Sequence, residues 1–248
     1  MMDKNATNSS QMDRESRPLQ VVILLGPPGA GKGTQAELLS ERLNLYYLET
    51  SKILEERFAN AKTEEYLEVE GAKYFLADEK KRWETGKLCS FPFVTAILKE
   101  RMEKLFHEGK SLLLAGSPRS LYEGEQELPL LEKLYGKGNI HVILLHVSAE
   151  ASIERNSHRR ICALSRHPIL YTRQTENLTI CPLDGSPLQR RMGLDDPESI
   201  KVRLQEYKEH TYPLVEFFRK CGVLVKTVDG DQSPAEVFQD ILEALHVA

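Results

Sequence analysis

Apolar residues gather in short runs along this chain, and the longer segments between them repeat apolar positions with a helical period. Five runs predict strands, the last of them weakly; they cover residues 21–25, 112–114, 142–145, 223–225 and 45–48. Continuously apolar runs of this length are typical of strands buried on both faces of a parallel sheet. Helical patterns cover residues 32–43, 93–107, 149–157, 197–220 and 234–245. This alternation predicts a doubly wound α/β fold around a five-stranded parallel sheet.

Three segments fall outside the alternation. Residues 1–18 are polar and lack an apolar period, which predicts a flexible tail before a single domain of residues 19–248. Residues 50–87 are charged and mainly helical in pattern, with no sheet strand expected. Residues 161–191 are rich in Pro, Thr, Cys and Gly, which predicts short turns or hairpins. The last two segments are therefore expected to be excursions from the sheet.

The strongest chemical signal is a glycine-rich loop, GPPGAGKGT at residues 26–34, which follows the first predicted strand and opens a helix. Glycines let the backbone wrap closely around a phosphate, whose charge is met by successive amides and the positive end of the helix. A lysine in the loop adds a cation for the transferring phosphate. The pattern predicts that a nucleoside triphosphate contacts Gly29, Ala30, Gly31, Lys32, Gly33 and Thr34.

The composition narrows the classes of protein. A chain of 248 residues with 41% hydrophobic content can bury a full core, and its 33 basic against 37 acidic residues argue against a protein that coats nucleic acid. The chain contains no run of about 20 apolar residues and its N-terminus has no apolar signal segment, so no membrane association is expected. Four cysteines without a dense pattern favour a reducing compartment, which predicts a cytoplasmic protein.

Four sequence blocks together resemble the adenylate kinase family in order and approximate spacing: GPPGAGKGT with the following glutamine, GSPRS at 116–120, RNSHRR at 155–160 and DDPESIKVRLQEY at 195–207. The similarity covers residues 21–245. It implies a monomeric P-loop NTPase-type kinase that uses Mg²⁺ and moves a phosphoryl group from ATP to AMP or a related nucleoside monophosphate. The family carries two insertions, and the resemblance places the monophosphate-binding insertion at 49–87 and the lid at 160–191. The core then comprises 19–48, 88–159 and 192–248.

The resemblance also assigns arginines to the transfer site. Arg119, in the segment that begins at Gly116, resembles the arginine that holds the acceptor phosphate. Arg155 resembles the residue that covers the donor base, and Arg159 resembles one that reaches the phosphates; their spacing of four places both on one face of a helix.

Two further positions complete the expected catalytic set. Arg203 resembles another transfer-site arginine, and either Arg190 or Arg191 corresponds to an arginine of the lid. The catalytic residues implied by the resemblance are Lys32, Arg119, Arg159, Arg191 and Arg203.

The acceptor segment departs from the family pattern, which reads Ser-Thr-Gly-Asp, two apolar residues and Arg. This chain reads ETSKILE at 49–55, so that Thr50 is retained and Glu55 replaces the arginine for the acceptor phosphate. Lys52 or Arg57 must then supply the positive charge, and Lys52 is better placed. Thr50, Lys52, Arg57, Gly116, Arg119 and Glu123 form the expected monophosphate site.

Both acids that orient magnesium in the family are missing at their usual positions. Ala115 replaces one, and Lys52 replaces the other. Because phosphoryl transfer depends on positioning and charge neutralisation, these changes predict either a slow enzyme or a nucleotide-binding sensor without activity. A third alternative, nucleic-acid binding through the basic cluster at 155–173, is disfavoured by the acidic net charge and the absence of interleaved aromatic residues.

Glu123 stands where the resemblance expects the glutamine that selects the acceptor base. An ionised carboxylate only accepts hydrogen bonds, which suits the paired N–H groups of guanine better than the edge of adenine. The hypothesis is that Glu123 shifts acceptor preference from AMP toward GMP. The alternative is that Glu123 faces solvent and Gln126, one helical turn later, contacts the base.

The lid contains two short motifs that resemble the structural zinc knuckle of some family members. They read Cys162-Ala-Leu-Ser165 and Cys181-Pro-Leu-Asp184. Serine is a poor zinc ligand, and His167 could complete the set instead. The possible zinc ligands are therefore Cys162, His167, Cys181 and Asp184, and the alternative is a metal-free lid in which these side chains form hydrogen bonds.

Overall fold

The computed structural model describes residues 18–59, 61–62, 64–84, 88–190 and 195–247. Its strands are β1 (Val21–Leu25), β2 (Tyr46–Leu48), β3 (Tyr66–Val69), β4 (Ala72–Phe75), β5 (Leu112–Leu114), β6 (Ile140–His146), β7 (Arg160–Cys162), β8 (Pro168–Ile169), β9 (Leu188–Gln189) and β10 (Val225–Asp229). Its α-helices are α1 (Lys32–Leu43), α2 (Thr50–Ala59), α3 (Leu76–Glu84), α4 (Phe91–His107), α5 (Leu121–Tyr135), α6 (Ala149–Ser157), α7 (Pro197–Glu206), α8 (Pro213–Lys220) and α9 (Pro234–Ala244).

The central sheet has five parallel strands in the order β10-β6-β1-β5-β2. Strand β1 lies in the middle, and Val21 is level with Leu112 on one neighbour and with Ile140 on the other. The predicted α/β fold with a five-stranded parallel sheet is therefore confirmed. In such a sheet the loops at the carboxyl ends of the strands converge, so ligands are expected at that edge.

Both faces of the sheet are covered by apolar side chains. Because side chains alternate along a strand, Val21, Ile23 and Leu25 enter one core cluster, whereas Val22 and Leu24 enter the other. The first cluster includes residues of α4, α5 and α8, and the second includes residues of α1 and α9. The burial of every residue of β1 explains why its sequence is continuously apolar.

Helix α5 was absent from the helices expected from sequence. Pro129 lies inside it, and a proline in a helix interior normally interrupts the backbone hydrogen bonds. The helix is nevertheless held by burial of Leu128, Leu131 and Tyr135 and by an N-cap, in which the Ser120 side chain accepts a hydrogen bond at its start. Packing of the buried face therefore outweighs the cost of the proline.

The single helix expected over 197–220 is divided. Helix α7 ends at Glu206, a π-helical turn covers Tyr207–Thr211, and α8 begins at Pro213. Proline lacks the N–H that would continue the helical ladder, so the backbone changes its hydrogen-bond spacing just before it. The last strand of the sheet lies later in the sequence than predicted. The prediction was 223–225, whereas the strand begins at Val225 and ends at Asp229.

The sequence-based prediction was less accurate for segment 50–87 than for segment 161–191. Segment 50–87 contains helices α2 and α3, as expected, but β3 and β4 form an antiparallel hairpin there, so the expectation of no sheet strand was wrong. Tyr66 packs on Phe75 across that hairpin, and Glu70 and Gly71 form its turn with positive φ. In segment 161–191 the predicted hairpins are confirmed, because β8 and β9 both pair antiparallel with β7.

Among the described residues, no helix is both long enough and apolar enough to cross a membrane.

Candidate active site

The glycine-rich loop joins β1 to α1 and is fastened to α6. Gly29 has φ +80°, and a Cβ atom there would lie 2.5 Å from Nδ2 of Asn156, so only glycine fits. The hydroxyl of Ser152 donates a hydrogen bond to the Pro28 carbonyl at 2.5 Å. Gly31 has a left-handed conformation and caps the N-terminus of α1. The loop therefore presents its amides and the helix N-terminus at the carboxyl edge of the sheet, as an anion site requires.

Lys32 is held by the loop that carries it. Its ammonium group donates hydrogen bonds to the carbonyls of Gly26 at 2.6 Å and Pro27 at 2.9 Å. Burial lowers the pKa of Lys32 to about 7, and the lowering is increased by three positively charged neighbours, Arg119, Arg203 and Arg159. Such crowding of cations is expected where a polyphosphate binds.

Asp195 organises two of these arginines. Its carboxylate is 3% exposed and lies 3.7 Å from the guanidinium of Arg159 and 3.8 Å from that of Arg203. Arg159 lies beyond the end of α6 at Ser157, so the expectation that it shares a helix face with Arg155 was wrong. In the sequence, Asp195 was only part of the block at 195–207, and no role was predicted for it. Its burial beside the two arginines gives it a structural role that the sequence block did not reveal.

The side chain of Arg155 contacts a loop next to α9. Its guanidinium donates to the carbonyls of Gly230 at 2.7 Å and Gln232 at 3.5 Å, in the loop between β10 and α9. Gln35 reaches the first residue of α9 through a hydrogen bond of 2.8 Å to the Pro234 carbonyl. The lid arginine Arg191 lies outside the described residues.

The structure brings three predicted acceptor residues together where the loop after β5 meets the start of α2. Arg119 is exposed and its Nε donates to the Gly116 carbonyl at 2.6 Å. A Cβ atom on Gly116 would lie 3.2 Å from Oγ1 of Thr50 and 3.5 Å from Nη2 of Arg119, so glycine permits this close approach. Thr50, Gly116 and Arg119 thus line one corner of the site.

The two candidate cations for the acceptor phosphate are both paired with acids. On α2, the ammonium of Lys52 lies 2.5 Å from the Glu49 carboxylate. Further along that helix, Arg57 lies 3.1 Å from Glu65. All four side chains are at least partly exposed, so these pairs contribute little stability and could exchange for a phosphate.

Glu123 is buried, at 3% exposure, in the first turn of α5. Its Oε2 accepts hydrogen bonds from the Arg119 backbone N–H at 2.5 Å and from the Ser117 hydroxyl at 3.1 Å. Burial raises the pKa of Glu123, and these hydrogen bonds oppose the rise. The alternative in which Glu123 faces solvent is therefore wrong.

The carboxylate of Glu49, which was not among the predicted site residues, belongs to the segment next to Ala115. Leu48 is paired with Leu114 in the sheet, so Glu49 and Ala115 follow at the same level on neighbouring strands. Burial raises the pKa of Glu37 on α1, and the negative charge of Glu49 adds to this rise. An acid is therefore present at this edge of the sheet, one strand away from the position where the family pattern has it.

The four possible zinc ligands meet in the lid, with their donor atoms all within 4.8 Å of one another. Tetrahedral zinc with thiolate, imidazole and carboxylate ligands places donor atoms about 3.3–3.8 Å apart, so the group fits the ion with small adjustments. The Cys162 thiol also lies 3.0 Å from Asp184, and this hydrogen bond, followed by that from the Ser186 backbone, lowers the pKa of Asp184. Hydrogen bonds among these side chains thus also hold the cluster together.

Comparison with known proteins agrees with this geometry. A family model described as adenylate kinase matches residues 24–223. An adenylate kinase of Caldicellulosiruptor bescii is 35% identical over 230 residues, which are 91% of this chain and 99% of the relative. Those of Oceanobacillus iheyensis and Clostridium tetani are 36% and 33% identical over 222 and 228 residues, or 89% and 90% of this chain and 96% and 97% of the relatives. The chain therefore belongs to the adenylate kinase family of nucleoside monophosphate kinases.

Proposed function

We propose that this chain transfers a phosphoryl group between ATP and AMP or a related nucleoside monophosphate, giving two diphosphates. The observation that carries the proposal is the arrangement around Lys32, which lies in a phosphate loop and is surrounded by three arginines from three different segments. Phosphoryl transfer requires positioning and charge neutralisation rather than covalent chemistry, and this arrangement supplies both.

Each residue of the cluster has a distinct task in this reaction. The loop amides and Lys32 bind the phosphates of the donor, and Arg119 binds the acceptor phosphate from the opposite loop. Asp195 orients Arg159 and Arg203 toward the charge that develops during transfer. Because the guanidinium groups are already oriented before the nucleotides arrive, they stabilise the transition state without reorganisation.

Mg²⁺ accompanies ATP in this family, and the residues present fit it. Hydroxyl and carboxylate oxygens are the ligands that Mg²⁺ prefers, and Thr34 on α1 and Glu49 at the end of β2 offer them at this edge of the sheet. When bound, the ion neutralises phosphate charge. We infer that Glu49 takes the place of the acid missing at Ala115, with Lys52 as its partner in the free protein.

The division into core and insertions is also part of the proposal. Segment 49–87, with α2, α3 and the β3-β4 hairpin, binds the acceptor, and segment 160–191 is a lid whose closure excludes water. The remaining segments, 19–48, 88–159 and 192–248, form the core. A monomeric state, a cytoplasmic location and the lack of nucleic-acid or membrane partners stay predictions.

For the acceptor base we infer that Glu123 increases the use of GMP relative to AMP. Its Oε2 is occupied by Ser117 and Arg119, whereas no hydrogen bond joins its Oε1 to any described residue. A carboxylate held in this way offers acceptors and no donor, which suits guanine.

We further infer that the lid binds zinc through Cys162, His167, Cys181 and Asp184. Elemental analysis of protein produced with zinc should give one ion per chain, and Cys181→Ser should remove it. The matched control is Cys221→Ser, a half-buried thiol on the core, which should retain the ion. Stoichiometric zinc in Cys181→Ser, or none in the unaltered chain, would favour the metal-free lid held by hydrogen bonds.

The kinase proposal is tested by measuring diphosphate formation with magnesium-ATP and AMP, GMP, CMP or UMP in parallel. Lys32→Ala should lower turnover by a factor on the order of 10²–10³. Lys220→Ala should retain it, because Lys220 is exposed on α8, where it pairs with Glu216. A second candidate, a nucleotide sensor, is favoured by Ala115 and Glu55 at positions where the family has charged residues for metal and acceptor. ATP binding without turnover for any acceptor would select the sensor.

A further inference from the structure

Two buried carboxyl groups on α5 meet the same hydroxyl. Ser117 Oγ lies 2.6 Å from Oε1 of Glu127 and 3.1 Å from Oε2 of Glu123, and the three residues are 3%, 1% and 3% exposed in the order Ser117, Glu127, Glu123. A buried polar cluster therefore lies directly behind the loop that carries Arg119.

If both carboxyl groups are ionised, there are too few hydrogen atoms to make each of these contacts a hydrogen bond of its own. A serine hydroxyl has one hydrogen to donate, and an ionised carboxylate has none. Two close contacts from one hydroxyl to two carboxyl groups are both two-centre hydrogen bonds only if one carboxyl is protonated and donates to Ser117 Oγ; otherwise two carboxylates share a single hydrogen. Two ionised carboxylates would otherwise face each other without water, which is costly.

The surroundings decide which carboxyl holds the proton. Glu123 receives a second hydrogen bond from the Arg119 backbone N–H at 2.5 Å, which stabilises its ionised form. Oε2 of Glu127 has no hydrogen-bond partner among the described residues, and Lys99 of α4 is the cation whose charge acts to lower the pKa of Glu127. On the α8 side, the start of α5 meets the apolar side chains of Leu214 and Phe217 at Gly124. Little around Glu127 therefore favours a negative charge.

We propose that Glu127 is a neutral carboxylic acid that donates its O–H to Ser117, whose hydroxyl in turn donates to the ionised Glu123. The relay Glu127–Ser117–Glu123 connects the first two turns of α5 to both Ser117 and the Arg119 amide, and so fixes the loop at 116–120. Glu127 is then a positioning residue for the acceptor side. The consequence for catalysis rests on the proposed kinase function, whereas the protonation itself does not.

The protonation is tested by infrared difference spectroscopy of the full chain at pH 7. Subtracting the spectrum of Glu127→Gln from that of the unaltered protein should reveal the carbonyl band of a protonated carboxyl group. Glutamine keeps the size of the side chain and can still donate to Ser117, so the fold is retained. If the difference spectrum contains no such band, Glu127 is ionised and the relay is wrong.

The positioning role is tested by kinetics. Ser117→Ala removes both contacts, so the KM of the acceptor should rise about tenfold, as expected for loss of a buried hydrogen bond to a charged group, while the KM of ATP changes less than about twofold. Glu127→Leu, which cannot donate, should raise the acceptor KM more than Glu127→Gln does. The control Glu125→Ala, exposed on the same helix, should leave both constants unchanged.

The outcomes separate the relay from the kinase proposal. Equal KM changes for ATP and acceptor in Ser117→Ala, or equal effects of Glu127→Leu and Glu127→Gln, would show that the cluster is only structural and would overturn the positioning role. If the unaltered chain turned over no monophosphate, the kinase proposal and the positioning role would both fail, and the infrared band would still decide whether Glu127 is protonated.

Discussion

The donor side and the acceptor side of the site are built in different ways. The donor side consists largely of backbone: loop amides, a helix N-terminus and a glycine whose φ of +80° no other residue adopts without strain. The proposed acceptor side consists of side chains, among them Lys52, Arg119 and Glu123. A backbone site tolerates few substitutions, whereas a side-chain site changes specificity one residue at a time. This difference explains why the family pattern is intact around Lys32 and altered around Glu55.

The largest effect is expected on the donor side. Lys32→Ala removes the cation that follows the transferring phosphate, so kcat should fall by a factor on the order of 10²–10³. The acceptor KM should change by less than about threefold if Lys32 acts on the donor phosphates and transition state alone. Steady-state kinetics with both substrates varied measures this. A large rise in acceptor KM would show that the two sides are not separable.

A smaller effect is expected where the two sides meet. Asp195→Ala leaves Arg159 and Arg203 without their shared partner, so kcat should fall about 10- to 100-fold. The free energy of unfolding should fall by about 3 kcal/mol, since a charge pair with one buried partner is broken. Urea unfolding and turnover together provide the measurement. The neighbouring Asp196→Asn serves as control, because asparagine still accepts from Ser199 N–H as an N-cap and should change both values little.

On the acceptor side, Lys52 and Arg57 compete for one role. If Lys52 leaves Glu49 to bind the acceptor phosphate, Lys52→Ala should raise the acceptor KM about tenfold, as for loss of one charge-assisted hydrogen bond. Arg57→Ala should raise it by no more than about twofold, the cost of losing an exposed pair. The same acceptor titration of both variants compares them. The reverse order would assign the phosphate to Arg57.

The smallest effect is the uptake of a proton by Lys32 when ATP binds. The pKa of Lys32 is lowered to about 7, so above that pH the free enzyme holds this amine mainly neutral. Donor phosphates favour the charged form, and ATP binding at pH 8 should therefore take up nearly one proton per chain. Calorimetry in two buffers of different ionisation enthalpy measures the uptake, and Lys32→Met should abolish it. An uptake that persists in the variant would assign the proton to another group.

The same pKa has a consequence for stability with a definite sign. Between pH 7 and about 10.5 the unfolded chain binds more protons at Lys32 than the folded chain does, because the folded pKa is the lower one. The contribution of Lys32 to the free energy of unfolding of the nucleotide-free protein therefore increases with pH across this window. This pH-dependent contribution is fully present above pH 10.5, the pKa of Lys32 in the unfolded chain. It is lost as the pH falls to about 7, the pKa of Lys32 in the folded chain. Lys32→Met should flatten that dependence.

Most of the fold could be predicted because buried parallel strands are continuously apolar. Helix α5 was missed because Pro129 and several acids hide its apolar face. The β3-β4 hairpin was missed because five of its eight strand residues are exposed, so its sequence has no continuous apolar run. Local propensity was overruled in both cases by packing between distant segments.

The site was predictable where a motif specifies the backbone and unpredictable where burial decides. The phosphate loop and Arg119 follow from sequence motifs. The roles of Asp195, Glu49 and Glu127 depend on which charges become buried side by side, and residues far apart in the chain determine this. Arg159 shows the same limit, since its position depends on where α6 ends rather than on its spacing from Arg155.

The central claim is that acceptor-side side chains determine which monophosphate is used. The most direct measurement is the ratio of kcat/KM for GMP to that for AMP, in the unaltered chain and in Glu123→Gln. Glutamine restores a donor and an acceptor, so the ratio should fall about tenfold, which corresponds to a change of about 1.4 kcal/mol in relative transition-state binding. An unchanged ratio in an active variant would contradict the claim and remove Glu123 from base recognition.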